Sequence, residues 1–211
     1  MKKLLIVSGV LIAIIAAYSF MPGKEDPCPA EGKADPKKGK HAELRPREKN
    51  LNKHKNRQSI PQADDFDKIV TIQLMYDSKD DSLWSEEKAA SISGYFFRAT
   101  DNSGEQCNCF TEDKNKLNTN IYICPTPIDK NTRTADCIVV VITPYTRSLK
   151  GEWDTDKLNE KLGGKKISIS GWLIYDFEHS NRSIETNSNS TQPERRTIWG
   201  IYPVTDLKVL N

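Results

Sequence analysis

The sequence predicts a mainly β fold class: a small five-stranded barrel with one helix between its third and fourth strands and a short helix ahead of the first. Three observations carry this reading. Runs of β-branched and aromatic residues recur between turn residues, a single capped helical pattern interrupts them, and a charge-rich stretch separates them all from an apolar N-terminus.

The chain of 211 residues opens Met-Lys-Lys and then runs from Leu4 to Phe20 without a charge. That layout predicts an apolar N-terminal helix over 1–21, acting as a signal peptide or a membrane anchor. Its roughly 25 Å of helical rise falls just short of a hydrocarbon core of about 30 Å, so both roles stay open. If the segment is retained, Lys2 and Lys3 hold the N-terminus inside and the remainder outside. From 22 to 60 lysine, arginine, proline and glutamate dominate, with eleven Lys or Arg against six Asp or Glu and Leu44 and Leu51 as the only leucines. So little apolar surface predicts a basic, disordered linker. Its excess charge suits a spacer that extends by self-repulsion, with attraction to polyanions as the rival role. Whole-chain charge is only +2, so no general basic field points to nucleic acid.

The folded domain is expected over 61–211. Asp64 to Tyr76 predicts the short helix, capped by Asp64 or Asp65. Ser91 to Thr100 reads as a strand interrupted by Gly94, Asn120 to Cys124 as a second, and the β-branched run Cys137 to Thr143 as a buried third. Trp153 to Leu162 has the helical pattern, with Asp154 as cap, Leu158 and Leu162 on one face and Gly163-Gly164 as the stop. Ile167 to Leu173 alternates as a strand. Arg196 to Tyr202 and Asp206 to Leu210 complete the set, broken at Pro203, after a polar loop from Ser180 to Glu194. Three strands, a helix, then further strands is the order of an OB-like barrel.

Five cysteines are present, four of them in the domain: Cys107, Cys109, Cys124 and Cys137. Outside the cytoplasm an even set pairs, and the pattern favours Cys107 and Cys109 bridging to Cys124 and Cys137. A direct bridge between Cys124 and Cys137 is the alternative. Cys28 is left as the odd one. Gaps of one, fourteen and twelve residues lack the paired C-x-x-C knuckles of a zinc site.

Several spaced motifs accompany the strands. They are Lys55-Asn56-Arg57 before Pro61; Trp84 with Lys88-Ala89-Ala90 leading to Gly94-Tyr95; Glu105, Cys107, Asn108 and Cys109; Thr143-Pro144; Gly171-Trp172 with Tyr175-Asp176 and Glu178-His179; and Trp199 with Pro203-Val204-Thr205. With these motifs the chain resembles, over about 51–211, a large and mostly uncharacterised bacterial family of small OB-like domains. The departures matter. Where the family pattern has Asp-x-His this chain has Asn118-Thr119-Asn120, where it has Glu this chain has Val141, and Trp-Glu-Ile-His-Pro is replaced by Trp199-Gly200-Ile201-Tyr202-Pro203. The resemblance implies that a site built on those positions is reduced here to Asp176, Glu178 and His179. Those three form a weak metal set, because ligands so close in sequence rarely enclose one ion.

Nucleophilic catalysis has no support, since His179 is the only histidine of 61–211 and no glycine-rich phosphate loop occurs. No cofactor is implied. An OB-like barrel suggests a binding role through its loops, with Phe110, Tyr122, Tyr145 and Tyr202 as stacking residues and Arg147, Arg182, Arg195 and Arg196 as anion contacts. The expected partners are the membrane through the N-terminal segment and either an envelope protein or a polyanionic or oligosaccharide ligand. The expected activity is non-catalytic binding, with a metal-dependent hydrolase or a disulfide-stapled envelope subunit as alternatives.

Overall fold

The computed structural model describes residues 28–39, 41–78 and 83–210. The apolar segment predicted over 1–21 lies outside them, and among the described residues no helix is long and apolar enough to cross a membrane.

Five strands close into a barrel in the order β1-β2-β3-β5-β4, with β1 Ala89–Asn102, β2 Asn118–Cys124, β3 Ile138–Ile142, β4 Lys166–Tyr175 and β5 Trp199–Val209. All pairings are antiparallel except β3 with β5, which meet in parallel at Val140 and Ile201. The long β1 serves two partners, pairing with β4 from Ala89 to Tyr95 and with β2 from Tyr95 to Asn102. Gly94 sits where the partners change. A Cβ there would lie 2.7 Å from the Cys124 carbonyl oxygen, so no larger residue fits the bend.

The barrel interior holds Ile92, Phe96, Ile121, Ile123, Val140, Ile167, Ile169 and Trp199, all buried. Two helices follow β3. Helix α3, Pro144–Lys150, is capped by Thr143 and was not foreseen from sequence. Helix α4, Thr155–Leu162, starts at the expected cap: Asp154 accepts a hydrogen bond from the Lys157 backbone N–H at 3.1 Å. Leu158 and Leu162 then turn into the core.

Three expectations need correction. The helix expected from Asp64 to Tyr76 is split into a short 3-10 turn at Ala63–Asp65 and helix α2, Ile72–Asp77, whose cap is Thr71. The stretch between them is pulled out of helix by β1: Phe66 bridges Ala89, and the Asp67 N–H bonds the Ala89 carbonyl at 2.8 Å. Strand β5 is not broken at Pro203 but runs through it. The register shifts between Ser170 and Leu173 leave room for a residue without an N–H.

The third correction is the linker. Within 22–60 the described residues are folded onto the barrel, and helix α1 runs from Pro46 to Lys55 with Leu51, Asn52 and Lys55 buried. Pro46 opens it, and Glu48 accepts from the Arg45 backbone N–H at 2.7 Å. The cysteines join the same correction. Cys28 pairs with Cys109, with Cα atoms 5.7 Å apart, and Cys124 pairs with Cys137 across neighbouring strands at 4.3 Å. The favoured pairing of Cys107 and Cys109 with Cys124 and Cys137 is therefore overturned. The direct Cys124–Cys137 alternative is the one formed, and Cys107 remains a buried free thiol.

Candidate functional site

A mostly polar cleft of about 750 Å³ lies between the β1–β2 loop (103–117) and the β4–β5 loop (176–198), with the end of β1 and the outer face of β2 behind it. The N-terminal segment forms the outer wall through Asp35, Lys38, Arg45 and Glu48. Lining carboxylates on the barrel side are Asp101, Glu105, Glu178 and Glu194, facing the cations Arg182 and Arg195 and the imidazole of His179.

Beneath the cleft is a buried charged network centred on Lys55. Its ammonium is 0% exposed and lies 3.0 Å from Asp176 Oδ1, 3.1 Å from Glu178 Oε2 and 3.9 Å from Glu105 Oε1. Arg195 Nη1 donates to Asp176 Oδ2 at 3.2 Å, and His179 Nε2 stands 3.6 Å from the same oxygen. Burial by itself would lower the Lys55 pKa, but Asp176 and Glu105 outweigh it and hold it well above the ordinary lysine value. Burial opposes the Asp176 carboxylate in the same way, and Lys55, His179 and Arg195 overcome it, keeping Asp176 ionised far below the usual carboxylate range.

Glu105 links this network to a second, neutral one. Its Oε2 accepts from Asn118 Nδ2 at 2.7 Å, from the Tyr202 hydroxyl at 3.3 Å and from the Cys107 thiol at 3.4 Å. The thiol and the hydroxyl also lie 3.3 Å apart. Burial, then the Glu105 charge, push the Cys107 thiol far above its ordinary pKa, so it stays protonated. A carboxylate at 118 would face Glu105 without a donor between them, whereas the amide supplies one. Gly200 approaches β3 so closely that a Cβ would lie 2.3 Å from the Val139 carbonyl oxygen. A glutamate there does not fit this barrel.

The predicted ligand residues are scattered. Phe110 and Tyr122 line the cleft. The Arg98 guanidinium lies 5.3 Å from the Tyr122 ring centre, covering one face, and Arg47 lies 4.0 Å over Phe177. Phe110 therefore supplies the freest ring. It is carried by two consecutive left-handed residues, Cys109 at φ 57° and Phe110 at φ 56°. Tyr145 lies elsewhere, on a smaller groove of about 280 Å³ beside Asn56 and Asn108. Arg147 is not an anion contact here: its guanidinium donates to the Leu117 carbonyl and, at 3.1 Å, to the Thr119 hydroxyl, pinning the start of β2. Tyr202 is 1% exposed and acts inside the network.

Asp176 and Glu178 both reach the ammonium supplied by α1, while His179 stands against the other oxygen of Asp176. Among the described residues no group of three or more His, Cys, Asp or Glu is arranged to hold a metal ion. Sequence reasoning missed Lys55 and Glu105 as members of this site, and Arg195, expected as an anion contact, is instead paired with Asp176. The two motifs Lys55-Asn56-Arg57 and Glu105 with Cys107-Asn108-Cys109 were the available signals, and only their convergence in space ties them together. Neither a family model nor a curated protein matches this chain.

Proposed function

We propose that this chain is an exported, non-catalytic OB-type binding domain that takes a neutral oligosaccharide in the cleft between its β1–β2 and β4–β5 loops. The observation that carries this reading is the place of the cleft, between the two loops with which OB barrels engage extended polymers. Its chemistry favours a hydroxylated ligand over a polyanion. Six carboxylates, Asp35, Glu48, Asp101, Glu105, Glu178 and Glu194, outnumber the four cations Lys38, Arg45, Arg182 and Arg195. A phosphate or sulfate chain would meet net repulsion there. A sugar hydroxyl, by contrast, both accepts and donates. Arg195 Nε and Glu178 Oε1 are buried without hydrogen-bond partners at this cleft, one a donor and the other an acceptor. Phe110 offers a ring face to a pyranose.

Two disulfide-bonded pairs are compatible with an oxidising, extracytoplasmic environment. The apolar N-terminal segment supplies the route out, either as a cleaved signal or as an anchor that displays the domain outside the membrane. The ammonium already seated among Asp176, Glu178 and Glu105 argues against the metal-dependent hydrolase alternative, because a divalent ion would have to displace it.

The test is calorimetric titration of the purified oxidised protein with cellohexaose, chitohexaose, a heparin hexasaccharide and an oligodeoxythymidine. A neutral saccharide binds, and Phe110→Ala weakens it by about tenfold, ~1.4 kcal/mol, without lowering the melting temperature. Preference for heparin or the oligonucleotide, or no binding at all, overturns the reading.

A further inference from the structure

We infer that the Cys28–Cys109 disulfide is a lock that assembles the cleft, so that the binding site becomes competent only after oxidation; this rests on the reading of the cleft as the ligand site. Both ends of the bond touch cleft walls. On one side, Cys109 is followed directly by Phe110, and both hold left-handed backbone that bulky residues seldom adopt. On the other, Cys28 anchors the segment that carries Asp35 and Lys38 into the outer wall.

Little else holds that segment. Between 28 and 45 the only buried described residue is Gly32, which has no side chain to bury. The remaining attachments are three hydrogen bonds, Lys33 N–H to the Gln106 carbonyl at 3.1 Å, Asn52 Nδ2 to Glu31 O at 2.9 Å and Asn56 Nδ2 to Ala30 O at 3.0 Å, and one solvent-exposed ion pair, Lys53 Nζ to Glu31 Oε1 at 2.8 Å, of a kind worth little in water. Segments with few buried apolar contacts open at low cost, so the covalent bond decides whether this wall is present. Gly32 shows how close the fit is, since a Cβ there would lie 2.3 Å from the Gln106 carbonyl oxygen.

The two disulfides also differ in access. Cys28 is exposed, whereas Cys124 and Cys137 are 2% and 0% exposed between strands. A mild reductant therefore reaches the lock first. In the forward step the Cys28 and Cys109 thiols give two electrons and two protons to a disulfide-donating oxidant of the export compartment, which becomes a dithiol. Cys107 does not divert the reaction, because its thiol is buried and held protonated between Tyr202 and Glu105.

The experiment compares the oxidised full chain with protein mildly reduced by a water-soluble phosphine and with Cys28→Ser. Hydrogen exchange read by mass spectrometry reports on 28–45 and 103–111 without any ligand, while cellohexaose and chitohexaose titrations report on the cleft. Exchange in both segments rises at least tenfold with the barrel strands unchanged, and saccharide affinity falls at least tenfold. Unchanged exchange after reduction overturns the lock. Faster exchange with undiminished affinity overturns its coupling to the site. Failure of the oxidised protein to bind either saccharide overturns the site reading, and with it the claim that oxidation switches binding on, while exchange still reports separately on the fastening.

Discussion

Replacing Lys55 by Met tests whether the buried charge network holds the N-terminal helix to the barrel. The ammonium is fully buried and within 3.0–3.9 Å of carboxylate oxygens from three separate residues, Asp176, Glu178 and Glu105. Met keeps the length of the side chain and removes only the charge. Asp176 then retains Arg195, but Glu178 and Glu105 lose their buried counter-ion. Removing one partner of a buried ion pair costs about 3–5 kcal/mol, chiefly because the other charge stays desolvated. For a chain of this size that corresponds to a fall of about 6–20 °C in melting temperature. The pH dependence follows from the two shifts. The depressed carboxyl of Asp176 contributes stability that is present above its unfolded value of about 3.9 and lost as pH falls through its folded value. The raised ammonium of Lys55 contributes stability that is present below about 10.4 and lost as pH rises through its folded value. In Lys55→Met the Asp176 carboxylate, buried without the ammonium that most depresses it, takes up its proton at higher pH. Acid then relieves the variant before it harms the wild type, and the gap between them narrows toward pH 4. Urea unfolding at pH 7 and pH 4 measures both numbers. A difference below about 1 kcal/mol at pH 7, or one that does not shrink at pH 4, refutes the ion-pair argument.

Two further outcomes probe the same core from different sides. Cys107 should resist iodoacetamide in the native state at pH 8, because it is 2% exposed and its thiol is held protonated, and should label once per chain in denaturant. Native labelling within about tenfold of the rate of a free thiol contradicts that setting. Gly171→Ala would place a Cβ 2.2 Å from the Pro203 carbonyl oxygen and 2.6 Å from Ile201 Cγ2, forcing β4 and β5 apart. A loss of about 1–3 kcal/mol in thermal or urea unfolding is expected, and a neutral result shows that the bulge at Pro203 is softer than drawn.

The barrel was legible because its signals are local. The β-branched run ending at Thr143, the alternation from Ile167 to Leu173 and the Asp154 cap each act within a few residues, and each fell where expected within the usual uncertainty of element ends. The N-terminal segment was illegible for the opposite reason. Hydrophobic periodicity detects a helix that docks by an apolar face. Helix α1 buries one leucine and otherwise docks through Asn52, Lys55 and the nearby disulfide, which leave no such pattern. The same holds for the site. Asp176, Glu178 and His179 were visible as neighbours in sequence, but Glu105 and Lys55 lie some 70 and 120 positions away, and only the closed barrel brings them in. Tyr202 was read as a stacking residue on its type alone. Its position on β5 points the hydroxyl inward to Glu105 and Cys107 instead.

Three consecutive residues at the end of α1 explain why this polar docking is specific rather than merely sticky. Lys55 enters the carboxylate cluster between the two cleft loops. Asn56 Nδ2 donates to the carbonyls of Ala30 at 3.0 Å and Cys107 at 2.8 Å, joining the N-terminal segment to the β1–β2 loop. The Arg57 guanidinium bonds the Glu86 carbonyl at 3.1 Å and lies 4.4 Å over the Trp172 ring on β4, whose indole N–H donates to Ser59 O at 2.8 Å. Each residue thus reaches a different element, and the three directions fix both the position and the rotation of the helix end. Hydrogen bonds and ion pairs of this kind lose most of their value when displaced by a single residue, whereas an apolar face tolerates sliding. A cleft whose outer wall hangs from this helix needs that definition. The chain obtains it with almost no hydrophobic surface, which also leaves the wall dependent on the disulfide that closes it.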